Sequence, residues 1–278
     1  MDYRIEQMSV AEYARVQALR GQKTVQVGAV YWKEVRPHFY RPLLPYVSLD
    51  PKRVMAPRQS FGGYQYAVGP EEDANSAINF RVFDDCANYS LASQGREYRR
   101  MVRAGQKVFD VCFIREAADL GEMGHKVYLS FYQRTHYGYM SERVKRQVFD
   151  QWIASMFSCS KTIVIGAFAQ GELKSLTVCY WIDDLLLYAT SFSDTDSLRR
   201  HVSDLMLHVV REMAAAQPGL RKIIAGLYGG GTGPDKFDLL RGAKVERRPA
   251  RLVIQPAISV PFLQALWPRQ YRKLVGNI

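Results

Sequence analysis

The sequence predicts an α/β fold of the α+β kind, in which helices flank a mixed and mostly antiparallel sheet. Two observations support this prediction: apolar segments joined by two-residue turns, and an amphipathic helix followed by a further strand, helix and strand. The segments are, in chain order, strands at 162–169, 172–182 and 185–192, a helix at 197–216, a strand at 221–227, a short helix near 234–241 and a last strand at 244–255.

Two-residue connections separate the first three of these strands. Gln170-Gly171 joins the first pair and Asp183-Asp184 joins the second. The first connection suits a tight hairpin better, because glycine tolerates a positive φ angle. Both predict antiparallel neighbours in the sheet.

Residues 1–95 are less regular, and proline interrupts them repeatedly. The patterns predict a strand leading into a helix over 3–17, a strand over 25–35 and a short strand over 80–83. Five prolines within 36–68 predict a long loop, and its many aromatic side chains indicate that the loop is ordered.

Regular periodicity returns near Ser93, which can cap a helix. The apolar residues then follow alternating and four-residue spacings in turn. They predict a helix at 93–107, a strand at 109–114 and helices at 119–135 and 141–157.

Composition fits a globular protein of the cytoplasm. The chain has 278 residues, of which 47% are hydrophobic and 23% charged, enough for one large domain or two small ones. No apolar run approaches the ~18 residues that cross a membrane, and the first residues lack the pattern of a secretory signal. The four cysteines are scattered without a CxxC pair, so we expect reduced thiols and no zinc site.

The charge is the unusual property, since 38 basic and 27 acidic residues give a net charge of +11. Such an excess indicates an anionic partner, such as nucleic acid, a phosphorylated cofactor or a membrane surface, or it serves solubility alone. The placement of the charges has to distinguish these.

One predicted helix concentrates basic residues on a single face. The side chains lie at offsets 0, 3, 4, 7 and 11, and they are Arg96, Arg99, Arg100, Arg103 and Lys107. Only Glu97 offsets them locally. The face is either a surface for the phosphates of a cofactor or an RNA backbone, or a solvated face paired with acids elsewhere.

The elements around this helix follow a distinctive order. Tyr89-Ser90-Leu91 precedes it, a strand follows, and the next helix opens at Asp119-Leu120 and ends in the aromatic-basic segment 131–139, FYQRTHYGY. With the later strand–helix–strand unit, this order resembles the FemABX-like branch of the GNAT acyltransferase superfamily. The resemblance covers roughly residues 88–256.

The resemblance implies how the chain is divided. We expect a GNAT-like acyltransferase domain at 115–260 and a C-terminal tail at 261–278. Residues 1–114 would form a smaller companion domain, itself a degenerate GNAT-like fold.

The family also implies a reaction, the transfer of an activated acyl or aminoacyl group to an amine. The donor is acyl-CoA in most GNAT proteins and aminoacyl-tRNA in the peptidyltransferase branch. Either is a polyanionic co-substrate, so we expect no tightly bound cofactor, no metal and no integral membrane partner, with a small-molecule or peptide amine as acceptor. Two alternatives stay open: a non-catalytic RNA-binding module on a GNAT-like scaffold, and a transferase using a carrier-protein thioester.

The sequence departs from the family where coenzyme A would bind. The family places a glycine-containing loop at the start of the helix after the third strand, where backbone amides hold the pyrophosphate. Here residues 193–200 read SDTDSLRR and contain no glycine. Asp194 and Asp196 suit a helix N-terminus but put negative charge where pyrophosphate would lie, and Arg199 and Arg200 partly restore the balance.

A second loop is rich in glycine. Residues 228–234, YGGGTGP, lie between a strand and a helix and either cradle phosphate or simply connect the two elements. The Gly-Lys-Ser/Thr of a P-loop is absent. The resemblance implies that the following helix closes a wall of the acceptor cleft, to which we assign Tyr137, Tyr180, Tyr228 and Lys236.

Acyl transfer needs a group that removes a proton from the amine, and it needs neighbouring strands that part beside Tyr188. The candidate catalytic residues are His136, Tyr139, Tyr188 and Ser191. A lone histidine in an aromatic stretch is more often a structural residue, and the sequence identifies no carboxylate partner for His136. The basic helix, Arg134, Arg199 and Arg200 would hold the donor phosphates.

Two other features point away from a reactive centre. His201 and His208 lie seven residues apart, and without a further ligand type beside them we interpret them as helix surface. The basic amphipathic tail 262–278 could bind a membrane surface, but Pro268 interrupts it and favours packing on the domain. No GxSxG, HExxH or GxGxxG motif supports a hydrolase, a zinc peptidase or a dehydrogenase.

Overall fold

The computed structural model describes residues 4–138 and 140–277. The strands, in chain order, are β1 (Thr24–Val27), β2 (Val30–Arg36), β3 (Phe39–Pro42), β4 (Gly63–Ala67), β5 (Ser76–Phe83), β6 (Asp110–Phe113), β7 (Ile163–Ala169), β8 (Glu172–Ile182), β9 (Leu185–Ser193), β10 (Lys222–Leu227) and β11 (Lys244–Ile254). The helices are α1 (Val10–Leu19), α2 (Arg96–Gln106), α3 (Gly121–Thr135), α4 (Arg146–Phe157), α5 (Thr195–Leu198), α6 (Val202–Ala215), α7 (Gly233–Leu239), α8 (Ser259–Leu266) and α9 (Pro268–Val275).

These elements form two compact units, each assembled from separate stretches of the chain. The first unit contains the residues up to Val16 and Phe83–Ala225. The second contains Gln17–Val82 and the residues from Gly226 onward. The domains predicted at 1–114, 115–260 and 261–278 stay a prediction. The compact units divide the chain elsewhere because β6 pairs with β7, whereas β11 pairs with β4 and β5.

The first unit contains four strands of the predicted sheet together with β6, whereas the last predicted strand, β11, belongs to the second unit. Its strands lie in the order β10-β9-β8-β7-β6, with β6 to β9 antiparallel and β10 parallel to β9. Gln170, Gly171 and Asp183 adopt positive φ angles at the two hairpin turns, as tight connections require. The predicted mixed, mostly antiparallel sheet flanked by helices is confirmed.

The long helix predicted at 197–216 is interrupted near its beginning. Asp194 caps the short helix α5 through the Ser197 N–H at 2.7 Å, and His201 then adopts a left-handed conformation with φ 64°. The main helix, α6, therefore begins at Val202 and is buried almost all round. Its partner α2 approaches closely at Gly105, where a Cβ atom would meet the His201 carbonyl oxygen at 3.1 Å. The predicted Ser93 cap is wrong, because Gly95 occupies the cap position of α2.

The second unit corrects two predictions for the N-terminal region. Its sheet has the order β1-β2-β3-β4-β11-β5, parallel only between β3 and β4. The strand predicted at 25–35 is a hairpin, because the chain turns at Gly28 with φ 59°. The loop predicted over 36–68 contains β3 and β4, whose Tyr40 and Tyr66 pack on Trp32 in a small core. Of the five prolines, Pro37 lies in the turn before β3 and Pro42 ends β3, and the other three lie between β3 and β4.

The tail packs on the second unit through α9, as predicted. Gln65 Nε2 donates to the Leu274 carbonyl oxygen at 2.7 Å, and Asn79 Nδ2 donates to that of Gly276 at 3.1 Å. The predicted interruption at Pro268 is confirmed, because α8 ends at Leu266 and Pro268 begins α9, at a helix position that needs no N–H. The preceding helix α8 leaves Phe262 61% and Leu266 64% exposed. Among the described residues, no helix is both long and apolar enough to cross a membrane.

Gly276 is a place where the fold requires glycine. It ends α9 with φ 79°, and a Cβ there would collide with the carbonyl oxygen of Ala77. We expect Gly276→Ala to lower the free energy of unfolding by about 2–4 kcal/mol, from left-handed strain and overpacking together. Urea unfolding measures this loss.

Gly21→Ala is the matched control. Gly21 has φ 78°, but nothing lies within 4 Å of a Cβ built there. This variant should lose only the strain, about 1–2 kcal/mol. Equal losses in the two variants would contradict the close packing of the tail at Ala77.

Candidate functional site

The parallel strands β9 and β10 stay paired over a short distance only. Their ladder joins Lys222, Ile223 and Ile224 to residues 185–187. In the part of the chain that the structure describes, the ladder ends there, although β9 continues to Ser193 and remains paired with β8. The two strands therefore part from about Tyr188 onward, where the acyl-transfer hypothesis places the reaction.

A bulge in β9 occupies the same place. Tyr188 lies opposite Cys179 and Thr190 lies opposite Val178, so Ala189 has no counterpart on β8. Ala189 is exposed although its strand lies between two others, and Tyr188, Thr190 and Ser191 are half-buried. The strand reaches solvent here between its two neighbours, and we refer to this place, beside Tyr188 where the ladder with β10 ends, as the crevice.

This geometry has a chemical consequence. A bulge bends its strand and re-aims the backbone groups beside it. Backbone N–H groups outside a ladder are strong donors that need an acceptor. A rigid strand that presents such donors can orient the carbonyl oxygen of an acyl group and stabilise the negative charge that develops on it.

The loop after β9 has internal partners for its amides. The Asp194 carboxylate accepts from the Ser197 N–H at 2.7 Å, and Ser130 Oγ accepts from the Thr195 N–H at 3.0 Å. Arg134 donates to Thr195 Oγ1 at 3.0 Å. Positions that would hold a pyrophosphate in a coenzyme A loop are thus filled by side chains of the chain itself.

The basic face of α2 points to solvent. Arg96, Arg100, Arg103 and Lys107 are exposed, while Tyr98, Val102 and Gly105 form the buried face. The ion pair between Arg100 and Glu97 is long, at 3.8 Å, and Arg99 donates to the Ala92 carbonyl oxygen at 3.0 Å. Arg199 and Arg200 are exposed as well. The predicted face exists, and its contact with donor phosphates stays a prediction.

Two of the predicted catalytic residues lie in the same strand. Tyr188 and Ser191 lie in the crevice strand, and the Ser191 hydroxyl is 3.0 Å from that of Thr177. His136 is exposed and ends α3 in a left-handed conformation, with its N–H bonded to the Tyr132 carbonyl. Tyr139 lies outside the described residues.

The residues predicted for the acceptor cleft belong to different elements of the chain. Tyr180 is fully buried, with its ring centroid 4.9 Å from that of Tyr13, so it does not reach solvent. Tyr137 is exposed beside Phe131. Tyr228 and Lys236 belong to the second unit, where Lys236 is exposed.

The glycine loop of the second unit holds an anion of its own. The Asp235 carboxylate accepts from the N–H groups of Gly229, Gly231 and Thr232 at 3.0, 3.0 and 2.8 Å. The Thr232 hydroxyl also donates to it at 2.7 Å. Asp235 thus occupies the amide groups of this loop, and these bonds hold the loop against the start of α7.

One arginine serves two carboxylates behind this loop. Arg81 lies 3.3 Å from Asp235 and 2.6 Å from Asp238. Burial acts to raise the pKa of Asp235, but hydrogen bonds from Thr232 and Gly229 outweigh it and lower that pKa. Burial raises the pKa of Asp238 to about 6, against the opposing charge of Arg81. Two acids sharing one cation titrate apart for this reason.

Sequence reasoning missed several of these features. His208, interpreted as helix surface, is buried and lies 2.9 Å from the Tyr89 hydroxyl, and burial lowers its pKa. Arg211, one turn on, is buried and pairs with Asp85 at 2.6 Å. The bulge at Ala189 had a visible signal, because the apolar run of β9 changes there to Ala-Thr-Ser.

Two further observations limit the site. Among the described residues, no group of three or more histidine, cysteine, aspartate or glutamate side chains could hold a metal ion. A small cavity lies away from β9, with Phe113, Arg115 and Thr162 among its lining residues.

Comparisons with known proteins identify the fold. No model of a known protein family matches the chain, and no curated protein matches it. The C-terminal domain (DUF2156) of a protein described as a lysylphosphatidylglycerol synthetase, from Agrobacterium fabrum, superposes with a TM-score of 0.61 at 10% identity, covering 98% of this chain and 94% of that chain.

Two more solved structures are similar. FemX superposes with a TM-score of 0.61 at 9% identity, covering 92% of this chain and 93% of that chain. L-PGS from Bacillus licheniformis gives a TM-score of 0.54 at 9% identity, covering 94% and 91%. At these identities the likeness shows the fold, and it confirms the predicted FemABX-like fold.

The shared arginine predicts a pH-dependent stability. The pKa of Asp238 in the folded protein lies above that in the unfolded chain, so its contribution to stability is complete below pH about 4 and is lost as the pH rises through about 6. The free energy of unfolding of the wild type should therefore fall relative to Asp238→Asn over that range, by at most about 3 kcal/mol. Urea unfolding at several pH values measures this difference.

Asp235→Asn is the control of opposite sign. The lowered pKa of Asp235 gives stability that is present above its unfolded pKa and lost in acid. The wild type should thus exceed this variant most at neutral pH. The same pH trend for both variants would contradict the division of roles around Arg81.

Proposed function

We propose that the protein is an N-acyltransferase that passes an acyl or aminoacyl group from an activated donor to an amine. The observation that supports it most is the parting of β9 and β10 beside the bulge at Ala189. A further argument comes from a protein of the same fold that is described as a lysylphosphatidylglycerol synthetase. Its name indicates that its product carries a lysyl group, which is an aminoacyl group.

In this proposal the chain contributes mainly orientation. The donor carbonyl lies in the crevice, where N–H groups of β9 near Ala189 donate hydrogen bonds to the oxygen on which negative charge develops. The amine attacks the carbonyl carbon and forms the amide bond, while the ester or thioester bond to the donor breaks. A side chain of the crevice, Tyr188 or Ser191, relays the proton that the amine loses to the leaving hydroxyl or thiol of the donor. Proximity supplies most of the rate, and the acid–base residue adds about 10²–10⁴.

Among the donors, aminoacyl-tRNA agrees best with the charges and contacts. The loop that would hold the pyrophosphate of coenzyme A carries Asp194 and has internal partners for its amides. The exposed basic face of α2 suits a long polyanion better than one compact cofactor. A carrier-protein thioester would meet the same face through acidic residues of the carrier.

A second candidate is an RNA-binding module without catalysis. The exposed basic face, with Glu97 as its nearby acid, favours this alternative equally. Charged tRNA, uncharged tRNA and acetyl-CoA, each offered with an amine acceptor, separate the two. Release of the aminoacyl group as an amide supports the transferase, whereas binding that ignores the aminoacyl group and yields no amide supports the module.

Charge reversal tests the donor surface. The triple variant Arg96→Glu, Arg100→Glu, Arg103→Glu should weaken tRNA binding more than tenfold and reduce the slope of log K against log salt by about 2–3. Fluorescence anisotropy at several salt concentrations measures both values. The control is Lys52→Glu, Arg53→Glu, Arg58→Glu, three exposed sites of the second unit with the same change of charge. Equal losses in both triples would remove the special role of α2.

Filling the crevice tests the reaction site. Ala189 is exposed, so Ala189→Leu should change the free energy of unfolding by less than about 0.5 kcal/mol. It should nevertheless slow transfer about a hundredfold, because displacing the carbonyl by about 1 Å has that effect. Ala154→Leu, at an exposed site on α4, is the control. Normal transfer by Ala189→Leu would exclude the crevice as the reaction site.

A further inference from the structure

The second unit places two cations side by side. Lys33 of β2 and Arg41 of β3 are directly opposite partners in an antiparallel pair. Side chains in such positions have Cβ atoms about 5 Å apart, and like charges there destabilise a sheet. Both side chains are half-buried, so water screens their repulsion only in part.

In residues 4–138 and 140–277, no acidic side chain forms an ion pair with Lys33 or Arg41. Within the described residues, the Lys33 ammonium has no hydrogen bond and no ion pair. Glu34 alternates to the opposite face of β2, where it pairs with Lys23 at 3.1 Å and accepts the His38 N–H at 2.7 Å.

Further positive charge surrounds the pair. The pKa of Lys33 is lowered to about 8, mainly by burial. The positive charges of Arg41 and Arg20 lower it further. Burial likewise lowers the pKa of Arg41, and Arg36 adds to that effect. Arg20 follows α1 and Arg36 ends β2. The charges that help to lower these two pKa values, from Arg20, Arg36 and Arg41, are thus all positive.

Hydrogen bonds fix the position of the Arg41 side chain. Gln65 of β4 accepts from its Nη2 at 2.5 Å, and the Gln65 amide is itself fixed by bonds to Ser76 Oγ and the Leu274 carbonyl. The Arg41 Nε–H is buried without a partner. One nitrogen of this guanidinium is thus fixed by Gln65, while its Nε–H has no acceptor. Such an arrangement suits the binding of an oxyanion, which accepts hydrogen bonds from a guanidinium.

We propose that Lys33 and Arg41, supported by Arg20, form a binding site for a phosphate-type oxyanion in the second unit. The site is separate from the crevice at β9 and does not depend on the proposed transferase activity. Arg41 supplies directed donors and Lys33 a mobile charge, and the bound anion cancels the repulsion across β2 and β3. The ligand is a free phosphate compound or the phosphate of a lipid headgroup.

Titration with inorganic phosphate at constant ionic strength tests the site. The full chain should gain about 5 °C in Tm at tens of millimolar phosphate over chloride, because a ligand that binds only the folded state stabilises it. NMR of the Lys33 side chain should show its pKa rising from about 8, since a neighbouring anion favours the charged amine. Sedimentation with vesicles of phosphatidylcholine, with and without phosphatidylglycerol, distinguishes a lipid headgroup from a free phosphate.

Lys33→Gln should abolish the phosphate-dependent gain in Tm and reduce phosphate affinity at least tenfold. Lys52→Gln, an exposed site of the same unit, is the charge-matched control and should keep the full gain. Arg41→Lys keeps the positive charge but loses the planar set of N–H donors of the guanidinium, so it should bind phosphate more weakly than the wild type. Equal gains in Lys33→Gln and the wild type, or no response to phosphate or anionic vesicles, would overturn the proposal.

Discussion

The arrangement of the candidate site depends on one constraint, the length of the parallel ladder between β9 and β10. Three residue pairs join the strands, and a bulge at Ala189 then bends β9 away while β8 still holds it. Had the ladder continued, its hydrogen bonds would have used the backbone groups that a reacting carbonyl needs. The crevice is therefore a property of strand pairing, and the side chains around it are secondary.

The acidic residues explain where a polyanion can bind. In each unit a loop at a helix N-terminus has the geometry of a phosphate cradle, yet Asp194 and Asp235 already occupy these amides from within. Such internal anions fix the loops without a ligand, as capping residues do. On our proposals, phosphate binds instead to exposed arginines on α2 and to the adjacent cations of β2 and β3. In these proposals the excess of positive charge attracts anions through side chains, at positions away from the helix N-termini of the two loops.

The sequence was informative where local rules decide structure. Turn chemistry at Gln170-Gly171 and alternating apolar residues predicted the antiparallel strands, since both depend on near neighbours. The sequence was uninformative where residues distant in the chain decide the structure. The hairpin at Gly28 depends on the packing of Trp32 on Tyr66. The burial of His208 depends on Tyr89, which lies more than a hundred residues earlier in the chain. Of the site, Tyr188 and the basic face were predictable from pattern. The internal partners of the two loops were not, because hydrogen bonds depend on conformation.

The position of β11 between β4 and β5 sets the order in which the chain can be completed during synthesis. A ribosome adding about 5–20 residues per second needs roughly 10–35 s to proceed from β4 to β11. During that interval two strand edges of the second unit remain open to other chains. The first unit has all its strands earlier, so it can complete its sheet while the second unit still lacks a central strand. Chaperone demand should accordingly fall on β4 and β5, whose facing edges stay open until β11 is synthesised.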